Sequence, residues 1–176
     1  MANSQKTEGA VVEIGCASGG TAAHACRLLR GLGDARDYWV YDTFDGFVPS
    51  QFHQDADKGT DSGSLHGFSA SSPALVRRIL RQLGAPEVEL VRADVVEMPT
   101  RLLPATISAC LVDVDLEMPT EAALEKVWPR MSPGGIVLVD DCDTVTSFRA
   151  RHAYERFCDR HDLDVRYEHG MGILVR

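Results

Sequence analysis

The sequence predicts an α/β fold built on a parallel sheet. Three observations carry that prediction. Short runs rich in β-formers alternate with helical patterns, the signature of βαβ units. A glycine-rich turn joins the first such run to the first helical pattern. Two later apolar runs each end in aspartates, as strands do where an open sheet meets its ligand. A length of 176 residues predicts one domain, spanning 1–176, large enough for a full core.

The elements follow in order. Residues 10–15 (AVVEIG) read as a buried strand, and residues 20–32 as a helix stopped by Gly31 and Gly33. Residues 38–42 (YWVYD) are the second strand. Residues 43–67 break the rhythm: about 25 residues with little apolar periodicity follow directly from a strand end. A structureless loop of that length points to a lid over a site. Residues 71–83 begin Ser-Ser-Pro and place Leu75, Ile79, Leu80 and Leu83 at helical spacing. Residues 88–93 and 107–113 are further strands. Thr120 is placed to cap a helix running to Met131, with Leu124, Val127, Trp128 and Met131 on one face. Residues 132–135 read as a turn, 136–140 as the fifth strand, and 147–161 as a helix. Residues 164–169 and 172–176 read as a closing hairpin.

Composition excludes several function classes. Eighteen basic residues against 26 acidic ones leave a net charge of −8. Nucleic acid and anionic membrane surfaces both need a basic face, so neither is expected as a partner. No apolar run reaches the roughly 18 residues of a spanning helix. The start of the chain is polar, without the apolar stretch of a signal peptide. The five cysteines are scattered, with no C-x-x-C pair. Neither a zinc knuckle nor a disulfide framework is indicated, and a cytoplasmic location is expected.

Candidate site residues sit at the strand ends. After the first strand, Gly15 allows a sharp turn, and Gly19 and Gly20 leave the helix start open to a ligand. The alternative is a plain tight turn. The spacing is not the G-x-G-x-x-G of dinucleotide oxidoreductases. Glu13 is a carboxylate inside an apolar strand and needs a partner there. Asp42 ends the second strand, placed for ribose hydroxyls or for starting a turn. Asp94 ends the third, placed for an adenine edge or again for a turn. Asp113 closes the strand A-C-L-V, and Asp140 and Asp141 close I-V-L-V. On neighbouring parallel strands these three acids converge, and converging carboxylates need protons or a cation. Hard oxygen ligands suit Mg²⁺. Asp115 shares the parity of Asp113 and supports a ligand or caps the turn. His53 and His66 read as loop histidines in solvent, Trp39 and Trp128 as core residues. The face carrying Arg151, Arg156 and Arg160 reads as solvated.

Four motifs in order resemble one family. They are E-x-G-x-x-x-G-G-T at 13–21, Y-D-T-F-D-G-F at 41–47, D-V-D-L at 113–116 and W-P-R-M-S-P-G-G-I-V-L-V-D-D at 128–141. Together they resemble the macrocin O-methyltransferases, which use S-adenosylmethionine and Mg²⁺ to methylate sugar hydroxyls of antibiotics and related natural products. The resemblance implies a Rossmann-like class I methyltransferase fold. Its sheet is seven-stranded and mostly parallel, with helices on both faces. Glu13, Gly15, Ser18, Gly19, Gly20 and Thr21 would hold the methionine part of the cofactor. Asp42 and Phe44 would take the ribose, and Asp94 and Val95 the adenine. Asp113, Asp140 and Asp141 would bind the metal, with Asp113 also the general base. The acceptor would be a hydroxylated small molecule.

The departures from the family pattern fall near the acceptor and metal pocket. Leu111 replaces an arginine, Val114 a glycine, and Glu117-Met118-Pro119 stand where the family reads Tyr-Glu-Ser. Only about ten residues precede the first strand, so the family's N-terminal lid segment is expected to be absent. Residues 43–67, or a second subunit of a homodimer, would then complete the acceptor site. Two competing functions remain: catechol-type methylation, whose enzymes usually carry Asp-Asn at 140–141, and a catalytically silent methyltransferase-like binding domain.

Overall fold

The computed structural model describes residues 7–176; the polar stretch at 1–6 lies outside the described residues. Seven strands form one sheet: β1 (Ala10–Ile14), β2 (Tyr38–Asp42), β3 (Glu89–Arg92), β4 (Ile107–Val112), β5 (Met131–Val139), β6 (Tyr167–Glu168) and β7 (Met171–Val175). Their order is β3-β2-β1-β4-β5-β7-β6. The first five run parallel, while β7 is antiparallel to β5 and to β6. The chain leaves β1 toward β2 and β3, then returns to β4 on the other side. That reversal opens a crevice between the C-terminal ends of β1 and β4, where ligands bind in open α/β sheets.

Period-2 alternation assigns the strand residues to two layers. Val11, Tyr38, Val40 and Ala109 pack under α1 (Gly20–Gly31) and α3 (Pro73–Gln82). Val12, Ile14, Cys110, Val112, Val137 and Val139 pack on the other side, with α4 (Glu117–Val127) and α5 (Ala150–Arg160). Helices thus cover both faces. All five cysteines are buried and unpaired, and among the described residues no helix is long and apolar enough to cross a membrane.

Several elements differ from the sequence expectation. Residues 43–67 are not structureless: they hold α2 (Pro49–Ala56) and a 3-10 turn at Ser62–His66. The buried face of α2 is Gln51, Phe52 and Asp55, a single apolar residue among polar ones, so no periodicity marks it. Helix α4 starts at Glu117, before Thr120. Its cap comes from elsewhere, because the Asp55 carboxylate accepts the Glu117 N–H at 2.7 Å. Pro119 is tolerated because the first turn needs no N–H from it. Residues 132–135 belong to β5, which is irregular there; Gly134 has φ 78. The hairpin turn is His169-Gly170, both at positive φ (52 and 81), so it folds tightly one residue earlier than expected. The arginine face of α5 is not simply solvated. Arg156 reaches Glu117 and Glu121, and Arg160 reaches Glu121 and Glu125, which lace α5 to α4. Arg151 pairs with Glu155.

Candidate active site

A cavity of about 400 Å³ lies at the crevice, and residues from the ends of all five parallel strands line it. Its floor is the exit of β1. Gly15 donates its N–H to the Tyr41 carbonyl, and Asp113 donates its own to Ile14, both at 2.8 Å. The two exits run so close that a Cβ on Gly15 would sit 1.8 Å from the Asp113 carbonyl oxygen, and Gly15 also has φ 85. Only glycine fits there. Gly19 serves packing as well: at φ 81, a Cβ on it would stand 3.0 Å from Val76 of α3. A Cβ on Gly20 would come no nearer than 4.0 Å to its neighbours, at the Ser18 hydroxyl, while Ser18 and Thr21 are exposed; none of these four residues lines the cavity.

Asp42 ties the turns together. Its carboxylate accepts the Cys16 N–H and the Phe44 N–H, each at 2.7 Å, while lining the cavity. A carboxylate has about four lone-pair sites, so acceptor capacity remains for a ligand hydroxyl. Asp94 accepts the Val96 N–H at 2.9 Å and the Gln51 side-chain amide at 2.8 Å. Lys126 holds the loop that follows, donating to the carbonyls of Val95, Val96 and Met98. Asp94 and Val95 both line the cavity.

Glu13 and Phe44 do not line it. The Glu13 carboxylate is 1% exposed and accepts the Tyr38 hydroxyl at 2.7 Å. Burial pushes its pKa up to about 8, against the Tyr38 hydrogen bond that lowers it. Its partner is therefore a neighbouring strand. Phe44, at φ 55, is buried in the layer under α1 and α3.

The acids gather at the far wall. Asp113, Asp115, Asp140 and Asp141 all line the cavity. Oxygens of Asp113, Asp115 and Asp141 lie within 4.8 Å of one another. Asp140 is outside that closest trio, yet its charge is the largest electrostatic influence on Asp113. Burial first, then Asp140, Asp141 and Asp42, push Asp113 up to about 7. Burial and a hydrogen bond to Asp141 drive Asp115 up as well. Asp115 and Asp141 have φ 61 and φ 54, left-handed values uncommon for residues with a Cβ and costly enough that the surroundings must impose them. Among the described residues no Lys, Arg or His lines this cavity to neutralise the acids. Clustered carboxylates without a basic partner fit a divalent cation, whose charge would remove their repulsion. Cys16 also lines the cavity, but burial and Asp42 push its thiol far up, so no thiolate nucleophile stands there.

Asp115, which shares the parity of Asp113 in the sequence, stands in the trio with φ 61. Two features escape sequence reasoning. Gln51 arrives on a helix without apolar periodicity. Phe47, Phe68 and Phe148 meet at the cavity although 21 and 80 residues separate them in turn. His53 and His66 are exposed, and His66 lines a hollow adjoining the cavity.

Comparison with known proteins agrees with this geometry. The macrocin-O-methyltransferase (TylF) family matches residues 1–169. One relative is an 8-demethyl-8-(2,3-dimethoxy-alpha-L-rhamnosyl)-tetracenomycin-C 4'-O-methyltransferase of Streptomyces olivaceus. It is 30% identical over 159 residues, covering 82% of this chain and 59% of the relative. A demethyldecarbamoylnovobiocin O-methyltransferase of Streptomyces niveus is 30% identical over 171 residues, covering 81% of this chain and 59% of the relative. The chain thus spans 59% of the length of these curated relatives. Among solved structures, the O-methyltransferase NovP superposes with a TM-score of 0.79 at 22% identity, covering 97% of this chain and 73% of NovP. The calicheamicin methyltransferase CalS11 gives 0.77 at 22%, covering 99% and 74%. The fold is therefore the Rossmann-like fold of class I methyltransferases.

Proposed function

From a chain that belongs to the macrocin-O-methyltransferase family, we propose an enzyme that moves a methyl group from S-adenosylmethionine to a hydroxyl of a sugar or other natural-product small molecule, assisted by Mg²⁺. One observation carries this reading: the acid cluster and the Gly15–Asp42 turn open into the same cavity. The Gly15–Cys16 turn and the Asp42 carboxylate bind the cofactor's ribose end, and Asp94 and Val95 flank its adenine. Segment 43–67 closes one side as a lid, with Phe47, Val48 and Gln51 on the cavity.

By the family resemblance Asp113, Asp140 and Asp141 would hold the metal; the acids whose oxygens come closest together are Asp113, Asp115 and Asp141, with Asp140 lining the same cavity. Bound there, Mg²⁺ would lower the pKa of the acceptor hydroxyl and fix its oxygen. The sulfonium makes the methyl carbon electrophilic, so the protein's task is mainly in-line alignment. The hydroxyl proton passes to a carboxylate beside it. The family resemblance gives that role to Asp113. Asp115 stands in the same cluster, within reach of the same point.

Calorimetric titration with S-adenosylmethionine tests the reading. Binding at micromolar concentration supports it; no binding at millimolar concentration refutes it.

A further inference from the structure

The basic residues of this chain are unevenly placed. Helices α1 and α3 together cover one face of the sheet. They carry five arginines (Arg27, Arg30, Arg77, Arg78 and Arg81) and no aspartate or glutamate. Arg77 is half-buried and the other four are exposed. Arg30 is satisfied by Glu87 at 2.9 Å and by the Gly84 carbonyl. Among the described residues, Arg27, Arg77, Arg78 and Arg81 pair with no carboxylate. The arginines of α5 differ: Arg151, Arg156 and Arg160 all pair with glutamates. On α3, Arg81 shares a helix face with Arg77 at i, i+4 and with Arg78 at i, i+3, and these like charges repel. The C-terminal dipole of α3 favours Arg81, which sits in its last turn. That effect fades within one turn, so it explains neither Arg77 and Arg78 nor Arg27 of α1.

Exposed leucines are interleaved with these charges. Leu28 of α1 is 53% exposed, Leu32 at its end 45%, and Leu75 of α3 44%. Arginine beside apolar side chains is the composition that distinguishes protein–protein interfaces from the rest of a surface. A long polyanion fits this face less well. The two helices are only about 15–18 Å long. With five positive charges gathered on them, the remainder of the molecule is more acidic than the net −8 of the whole chain. A nucleic-acid duplex or an anionic membrane plane would extend past the helices and meet that acidic remainder. A short acidic segment of a protein would not. A second copy docking through its own acidic surface would join unlike faces, a heterologous contact that builds rings or filaments and not a two-fold dimer.

We propose that the outer face of α1 and α3 is a docking surface for an acidic, leucine-bearing helical segment of a partner protein. Carboxylates of that segment pair with Arg27, Arg77, Arg78 and Arg81, and its apolar side chains cover Leu28 and Leu75. Each helix starts beside the cavity, α1 after the Gly15–Gly19 turn and α3 after Ser71. The arginines come one or more turns further along, so the docked segment leaves the cavity open. This surface is independent of the methyl-transfer reading above.

The test uses the full chain and a fluorescently labelled helical peptide of about 16 residues, long enough to span either helix, with glutamate on one side and leucine on the other. A control peptide carries glutamine in place of every glutamate. Binding is read by fluorescence anisotropy at about 50 mM salt. The acidic peptide is expected to bind about tenfold more tightly than the control and to lose that advantage at about 1 M salt. The triple variant Arg27→Gln, Arg77→Gln, Arg78→Gln should weaken acidic-peptide binding about tenfold, the worth of three exposed ion pairs. A second triple variant of equal net charge, Arg101→Gln, Arg166→Gln, Arg176→Gln, should bind as the parent does. Thermal melting verifies that both variants are folded. Equal binding of the two peptides, or an equal loss in the two variants, would overturn the proposal. So would a DNA duplex of about 20 base pairs, or a phosphatidylserine vesicle, that binds more tightly than the acidic peptide and is released by the first variant, because the face would then serve phosphates. Sedimentation in which the parent self-associates and the first variant does not would give the face to a second copy and overturn the proposal as well.

Discussion

Glu13 is a carboxylate inside a fully buried strand, with the Tyr38 hydroxyl as its hydrogen-bond partner. Its pKa is raised from an ordinary 4.5 to about 8. Between these values the unfolded chain has released the proton and the folded chain keeps it. Stability from neutral Glu13 is therefore full below about pH 4.5 and is lost as pH rises toward 8. Glu13→Gln keeps an acceptor for Tyr38 without the titration. The melting temperature of the variant, relative to the parent, should rise from pH 5 to pH 8.5 and then level off; a pH-independent difference would contradict this assignment. Asp113 behaves differently because it faces the cavity. Asp113→Asn should lower methyl transfer by about 10²- to 10⁴-fold while S-adenosylhomocysteine binding stays within a few-fold. The same comparison on Asp115→Asn measures how much the third acid of the trio contributes. If the Asp113 change leaves turnover intact, Asp113 is neither base nor ligand.

At the scale of elements, the segment between β2 and α3 is held by its partners and not by its own periodicity. Asp55 of α2 caps α4, Lys58 pairs with the buried Glu117, and the Thr60 hydroxyl donates to the Ser147 carbonyl. Arg149 and Arg156 complete the set around Glu117, which is 3% exposed and held down to a pKa of about 2. Asp55→Ala leaves the Glu117 N–H without its acceptor and should cost about 1–2 kcal/mol. Asp55→Asn, which keeps an acceptor oxygen, should restore most of it. Urea unfolding of the two variants measures the difference, and an equal loss in both would point to the charge and not the cap.

At the scale of the molecule, cofactor binding and folding are linked, because the cavity exists only where five strand ends meet. S-adenosylhomocysteine at about 100 times its dissociation constant should add roughly 2.7 kcal/mol. For a chain of this size that raises the melting temperature by about 5–10 °C. A melting curve unmoved by saturating ligand would mean that the assembled cavity is not its site.

How far the sequence reaches depends on whether a feature is local. Alternation and helical spacing located the five parallel strands, α1, α3, α5 and the final hairpin, because burial of one face imposes a period on the residues themselves. It also fixed that Gly15, Asp42, Asp94, Asp113, Asp140 and Asp141 stand at strand ends, and in a parallel sheet those ends share one side. Only the tertiary structure decided what turns on contacts between distant segments. It turned Glu13 toward Tyr38 and packed Gly19 against Val76. It folded α2 around Gln51 and Asp55. Such contacts impose no period on either partner: a buried polar residue is tolerable only when a specific neighbour from elsewhere in the chain satisfies it.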